Sequence, residues 1–379
     1  MEDTELIIAV CKETANLEKR VALIPESAQK LKQDGVELWI ESGAGDASSY
    51  PDDAYREQGF TVVDERDKLL SECDLLIAVN APSEEDIKKL KQGATLVSFL
   101  WALQNPELVA TLQSQNVTGI GLDAIPRISR AQSMDALSSM SNIGGYRAAL
   151  IGASELDRYL PMMMTAAGTI PPAKVLVMGA GVAGLQAIAT AKRLGAVVEA
   201  YDIRPVVKEQ VESLGAKFVE VPVVEEEETE TEGGYAKEAS QRQQEKQKEV
   251  MHEHVKKSDI VITTALIPGK KAPVLVTKAM VEDMKPGSVV IDMAAEQGGN
   301  CEVTKAGETV IHNRVKVVGP VNLPSTLAYH ASQLFSKNIL SLLSLLIKEG
   351  SLQFDFEDEI VKNSTITHNG EIISPMLKN

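Results

Sequence analysis

Cysteine is scarce in this chain. Its 379 residues hold three, Cys11, Cys73 and Cys301, far apart and without metal-ligand spacing. That excludes a disulfide framework and a cysteine-built metal centre, and reads as buried thiols in a reducing compartment. Histidine is as thin. His252 and His254 fall in a charged stretch expected to be solvated, and His312, His330 and His368 are scattered, so no metal is expected. Positive charge is in deficit: 38 Lys and Arg stand against 54 Asp and Glu, a net charge of −16. Nucleic acid and anionic lipid both require a basic face, so neither is expected as a partner. Long apolar runs are missing too. The longest, ILSLLSLLI (339–347), is about half the ~20 residues that cross a bilayer. The N-terminal MEDTELIIAV moves from acidic residues straight into a strand-like run, so no signal peptide is expected.

What is present is an ordinary soluble composition, 44% apolar and 24% charged. The length exceeds what one core usually serves, which predicts two domains. In the first third, short β-branched runs alternate with helix-prone stretches (26–34, 83–92). The runs are LIIAV (6–10), VELWI (36–40), TVV (61–63), LLIAV (75–79), TLVSFL (95–100) and VTGIGL (117–122). Such alternation predicts a parallel sheet in an α/β domain. A helix is expected over 143–160, and the prolines of PMMMTAAGTIPP (161–172) mark a connection. A second α/β pattern then runs through KVLVM, KFVEV (217–221), DIVITTAL (259–266), SVVIDMA (288–294) and VKVVGP (315–320). A long helix is expected over 326–348, with a short hairpin around Asn369-Gly370 after it. If that helix returns to the first domain, domain 1 comprises 1–139 with 322–379, and domain 2 comprises 140–321.

The sharpest motif is G-x-G-x-x-G at Gly179, Gly181 and Gly184. The strand-like VLVM precedes it, the amphipathic LQAIATAKRL follows, and VVEAYD ends in Asp202, 23 residues after Gly179. This is the dinucleotide-binding arrangement. Gly179 permits the tight turn, Gly181 lets backbone approach a pyrophosphate, and Gly184 lets helix meet strand. The amides near Val182 and Ala183 then point at phosphate from a helix N-terminus. Asp202 suits a ribose diol and repels a 2′-phosphate, which favours NAD(H). Arg204, close by, is the one residue that could take such a phosphate instead. In TTALIPGK (263–270), Thr264 and Leu266 are candidates for the adenosine end, although turn chemistry around Pro268-Gly269 explains the loop equally well.

Two polar stretches resist a core reading. PRISRAQSMDALSSMSNIGGYRA (126–148) is either a linker between domains with solvated charges or the wall of a site. VVEEEETETEGGYAKEASQRQQEKQKE (223–249) is either a solvated surface loop or a lid hinged at Gly233-Gly234 that carries Tyr235 onto a ligand.

Several segments resemble one family. PRISRAQSMDALSS, MTAAGTIPPAKVLVMGAGVAGLQAIATAKRLGA, KEQVESLGAKF, GGYAKE, TTALIPGK and MKPGSVVIDMAAEQGGNC, in this order, are similar to the NAD(H)-binding domain I of proton-translocating transhydrogenase. The resemblance begins at KETANLEKRVALIPE and continues to the end of the chain. It implies two Rossmann-like doubly wound α/β domains with an NAD cleft between them. It also implies a homodimer that exchanges hydride with NADP(H) on a separate domain III. A membrane domain II couples that exchange to proton movement. The chain would then lie on the cytoplasmic or matrix side, peripheral to the membrane through its partners and not itself inserted. The resemblance places Arg127, Ile128, Ser129, Gln132, Met134, Asp135 and Ser138 around the nicotinamide. Among these, Arg127, Gln132, Asp135 and Ser138 are given the catalytic roles. Ser138 would hydrogen-bond the carboxamide, and an Arg127–Asp135 pair would brace the loop. It adds Ile203 beside Asp202 and Arg204 for the adenosine end, and Gly234, Tyr235 and Gln247 from the insert.

Alanine dehydrogenase is the related alternative. It requires a substrate-binding lysine and a histidine acid/base, at the positions where VNAP has Asn80 and SFLWAL has Trp101. Neither residue shuttles a proton near neutral pH. A third reading is an NAD(H)-sensing module without chemistry.

Overall fold

The computed structural model describes residues 5–32, 35–222, 235–267 and 269–378, with the side chains of 235–241 left out. The chain divides into two compact units, Met1–Met140 with Pro324–Asn379, and Ser141–Leu323.

The first unit is built on an eight-stranded sheet. Its order is Glu371–Ile372, Thr365–His368, Thr118–Gly121, Thr95–Phe99, Leu75–Asn80, Leu6–Val10, Val36–Glu41 and Thr61–Val63. Its central strands are almost wholly buried, as the unbroken apolar runs LIIAV, LLIAV and TLVSF require of strands covered on both faces. The sheet is mixed and not purely parallel. Thr365–His368 runs antiparallel to Thr118–Gly121, and Glu371–Ile372 folds back on it. Asn369 and Gly370 both have positive φ, 51° and 76°, the conformation a two-residue hairpin turn demands. Thr367 repairs the shifted register there: its Oγ1 accepts from Gly119 N (3.1 Å) and donates to the Val117 carbonyl (2.9 Å).

The helix Ala328–Leu346 belongs to the same unit. Its buried residues, including Ala331, Phe335, Ile339, Leu342 and Leu346, recur at helical spacing. Two hydroxyls on that face are also used. Ser332 Oγ accepts from Val21 N (3.0 Å), and the hydroxyls of Ser336 and Ser27 are hydrogen-bonded.

The second unit holds a seven-stranded sheet in the order Lys217–Phe218, Val197–Tyr201, Lys174–Met178, Ile260–Thr263, Val289–Asp292, Val315–Val318 and Thr309–His312. All pairs are parallel except the last. Strand order reverses between Lys174–Met178 and Ile260–Thr263. That is the switch point where α/β sheets open a ligand crevice.

Three local expectations are corrected. The helix predicted over 143–160 spans Ala136–Glu155, because Asp135 caps it: Oδ1 accepts from Ser138 N at 2.8 Å. PMMMTAAGTIPP is not a plain connection but contains a hairpin, Met163–Thr165 against Gly168–Ile170. The second half of the acidic insert is a helix, Tyr235–Lys257. On it, His252 and His254 have carboxylate partners, Asp283 (2.8 Å) and Glu199 (2.6 Å). All three cysteines are free and buried, and burial pushes their thiols above the ordinary range.

Candidate nucleotide site

In the second unit, the strand Lys174–Met178 ends at Gly179, whose φ of 104° is accessible to glycine and few other residues. A Cβ here would sit 2.5 Å from Thr264 Oγ1, and one at Gly184 would strike the Gly179 carbonyl. At Gly181 it would meet nothing within 4 Å, so the turn leaves open space above it. Gly181 is the N-cap of the helix Val182–Arg193 and has no side-chain cap. Its first-turn amides at Val182, Ala183 and Gly184 belong to the group of N–H donors that a helix cannot pair internally. Open space, free amides and the helix dipole together fit a pyrophosphate.

Gly145, inside the helix Ala136–Glu155, faces this turn. A Cβ there would collide with the Ala183 carbonyl oxygen, so backbone meets backbone where the amides must stay in place.

Asp202 follows Val197–Tyr201 and is tied to the same turn. Its Oδ2 accepts from Ala180 N at 2.8 Å, and its Oδ1 from Arg204 N at 2.8 Å. The Arg204 guanidinium covers the carboxylate, Nε to Oδ1 at 2.9 Å and Nη2 to Oδ2 at 3.0 Å. Burial would raise the Asp202 pKa, but Arg204 and the two amides outweigh it and hold the group below the usual carboxylate range. Ile203 is exposed.

Thr264 and Leu266 lie across the switch point from the glycine turn. Thr264 N extends the ladder to the Met178 carbonyl (2.9 Å), and its Oγ1 donates to the Gly179 carbonyl (3.1 Å). Leu266 is exposed. Asn300, which sequence reasoning missed, holds this loop. Its Oδ1 accepts from Ala265 N (3.0 Å), and its Nδ2 donates to the carbonyls of Ala265 and Pro273 (2.8 Å each). Behind it, Asp292 accepts from Cys301 N (2.8 Å), Thr304 Oγ1 (2.7 Å), Ala294 N (3.0 Å) and Thr263 Oγ1 (3.1 Å). Asn300 and Asp292 are both fully buried. The one sequence signal for them was their place in the strand-end motif MKPGSVVIDMAAEQGGNC.

In the first unit, residues Ser129–Met134 form a 3-10 helix directly ahead of Ala136–Glu155. Residues three apart eclipse in such a helix, and the sequence sorts itself accordingly. Ala131 and Met134 are buried, while Ser129 and Gln132 are exposed on another row, with Asp135 next in that series. Met134 therefore offers a ligand only its backbone. Ile128 is half-buried, and Arg127 is exposed and, among the described residues, in no ion pair. The expected Arg127–Asp135 brace is absent because Asp135 is engaged elsewhere: besides its cap, Oδ2 accepts from Ser138 Oγ at 2.6 Å. The arginine that does brace the loop is Arg130, bidentate on Asp358 at 2.6 and 2.9 Å. Ser138 has thus committed its hydroxyl proton and retains its lone pairs as acceptors.

From the insert, Gly234 lies outside the described residues, as does the Tyr235 side chain. Gln247 is half-buried on the helix Tyr235–Lys257.

The strand ends of the first unit show what stands in place of proton chemistry. Asn80 Nδ2 donates to Glu13 Oε2 and Glu18 Oε2, 3.0 Å each. Arg20 Nε and Nη2 grip Glu18 at 2.8 and 2.6 Å. Glu13 also accepts from Val79 N at 2.6 Å. Burial pushes Glu13 up to about 7. Glu18 is buried as well, but Arg20 draws it down to about 2. Trp101, with φ 48°, is partly exposed and stacks on Phe99 at 5.7 Å.

Residues 9–144 match the alanine dehydrogenase/PNT N-terminal domain model, and residues 148–375 match the C-terminal one. The chain is 47% identical over 373 residues to the NAD(P) transhydrogenase subunit alpha of Haemophilus influenzae, covering 98% of this chain and 72% of that one. In Rhodospirillum rubrum that subunit is divided, and its first piece is 48% identical over 377 residues, with 98% of each chain covered. The crystal structure of transhydrogenase from Sinorhizobium meliloti superposes with a TM-score of 0.85 at 42% identity, covering 98% of this chain and all of that one. An L-alanine dehydrogenase structure shares the fold, with a TM-score of 0.80 at 24% identity and 98% of each chain covered. The chain belongs to the alanine dehydrogenase/PNT family and, within it, stands with the domain I portion of NAD(P) transhydrogenase alpha subunits.

Proposed function

We propose that this chain binds NAD(H) and exchanges a hydride directly with NADP(H) held by a partner domain. The single observation that carries the reading is a complete dinucleotide turn in a chain whose proton-shuttle positions hold Asn80 and Trp101. Hydride exchange between two nicotinamides consumes no proton from the protein and needs only positioned rings with water kept out.

Each residue then has a task. The amides at Val182 and Ala183 hold the pyrophosphate, and Asp202 receives the ribose diol. Thr264 and Leu266 close the adenosine side. Ser138, its proton committed to Asp135, accepts from the carboxamide and selects the ring face. Gln132, on the outer row of the loop, guides the approach of the second ring, and Arg127 is free to meet the cofactor. When bound, NADH supplies the hydride. We further assign this chain a homodimeric state and two partners, an NADP(H)-binding domain III and a proton-conducting membrane domain II, which together hold it at the cytoplasmic or matrix face of a membrane. Among the described residues, no helix is long and apolar enough to cross a membrane.

The test mixes the purified chain with an NADP(H)-binding partner domain and follows hydride transfer from NADH by stopped flow. Transfer that needs both proteins supports the reading, and its absence with every such partner would sink it. Alanine-dependent NAD+ reduction by this chain alone would replace it with an amino-acid dehydrogenase. NADH binding with neither activity would leave a sensor.

A further inference from the structure

The 3-10 helix Ser129–Met134 is short, and such helices hold their shape poorly alone. Two of its three residue rows are accounted for: Ala131 and Met134 anchor it, and Ser129 and Gln132 face outward. The third row carries Arg130 and Ser133, and both are engaged by the C-terminal part of the chain. Asn338, on the helix Ala328–Leu346, donates from Nδ2 to the Ser133 carbonyl at 2.8 Å, 205 residues away in sequence. Asp358 receives Arg130 and also caps the helix Glu359–Ser364 through Ile360 N at 2.8 Å.

We infer that Asn338 is a positioning residue for hydride transfer, fixing the Ser133 carbonyl and thereby the stance of Gln132 one residue earlier. Stability alone does not explain an asparagine at 338. It is 6% exposed, and its Oδ1 is buried without a hydrogen-bond partner among the described residues. An unmatched buried acceptor is destabilising, and an apolar residue of similar shape would avoid that cost. Ser133 is itself exposed, so its carbonyl could take a water if Asn338 did not hold it. What the amide adds is a fixed location. The Arg130–Asp358 pair is half-exposed on the arginine side and adds direction more than energy.

The inference rests on the hydride-transfer reading of this loop, and its test separates the two. Asn338→Leu should fold with a melting temperature near that of the natural chain and bind NADH within about threefold, yet transfer hydride roughly ten- to a hundredfold more slowly, the scale of a misplaced group. Asn338→Asp adds a signature that mere packing would not give. Its carboxylate cannot donate to Ser133, but its protonated form can, so transfer should recover as pH falls, relative to the natural chain. A readout without nucleotide is amide exchange: Ala131 and Asp135, whose N–H groups close this turn onto Ile128 and Gln132, should exchange faster in Asn338→Leu while the sheet amides do not change. Normal transfer and normal exchange in that variant would overturn the inference and leave the functional reading standing. Faster loop exchange in a chain that transfers no hydride with any partner would confirm the anchor and remove the function assigned to it.

Discussion

Arg204 lies on Asp202 as a two-point fork, so the acid that suits a ribose diol is already engaged by the one nearby base that could welcome a 2′-phosphate. Each residue controls the other. The carboxylate keeps the guanidinium from serving as a phosphate site, and the guanidinium is exposed enough to be moved aside by ribose hydroxyls. Asp202→Ala should therefore do two things at once. NADH binding should weaken by roughly tenfold, the cost of two lost hydrogen bonds to a charged group. NADPH binding should improve relative to NADH, because Arg204 is released. Fluorescence titrations of both nucleotides check this, and the double variant with Arg204→Ala should lose the gain for NADPH.

Gly145 carries a second prediction. A glycine inside a helix costs about 1 kcal/mol relative to alanine, so Gly145→Ala would stabilise a helix that stood alone. Here the added methyl meets the Ala183 carbonyl. The expected outcome is a lower melting temperature together with weaker NADH binding, since the peptide pushed away belongs to the first turn of Val182–Arg193. A stabilised variant with unchanged affinity would show that the two backbones can part freely.

The parallel strands were legible because burial on both faces leaves unbroken apolar runs: LIIAV and TVV are strands over the residues the pattern marks. The glycine turn was legible because its constraints are local. Elements held by distant partners were not. Asp135 read as a loop acid until its bond to Ser138 made it a helix cap. Asn300 is an ordinary loop residue until Ala265, 35 positions earlier, is seen against it. Asn338 interrupts an apolar helix with nothing nearby in sequence to explain it. Charge pairing misled as well. Arg127 and Asp135 look complementary on paper, yet the fold gives Asp358 to Arg130 and Ser138 to Asp135.

Asn300 and Gln132 should separate binding from transfer. Asn300→Leu leaves Ala265 N and two carbonyls without their partner in a buried place, each worth about 1 to 3 kcal/mol. The 264–267 loop should loosen, raising the NADH dissociation constant by roughly tenfold, while transfer at saturation changes little. Gln132→Asn should do the reverse, slowing transfer far more than it weakens binding. Steady-state and single-turnover measurements on the two variants give the split, and a matching pattern in both would contradict the roles assigned.

Glu13 predicts a pH dependence of stability. Burial holds its proton up to about pH 7 in the fold, whereas an unfolded glutamate loses it near 4.3. Cys11, Glu18, Asn80 and the Arg20–Glu18 pair surround it. Between those two pH values the folded chain binds more protons than the unfolded chain, so stability falls as pH rises. The contribution is fully present below the unfolded value and lost by about pH 7. Glu18 runs the other way. Its pKa is drawn down to about 2, so its contribution is complete above the unfolded value and lost as pH falls toward 2. Comparing melting temperatures of the natural chain and Glu13→Gln from pH 5 to 8 isolates the first effect. The substituted side chain also presents an amide to the N–H groups of Val79 and Asn80, so the variant should be less stable throughout at low pH. The difference should narrow as pH rises, by an amount on the order of 1 to 3 kcal/mol. A gap that stays constant across that window would mean that Glu13 is ionised in the fold, and that Asn80 bridges two carboxylates both charged.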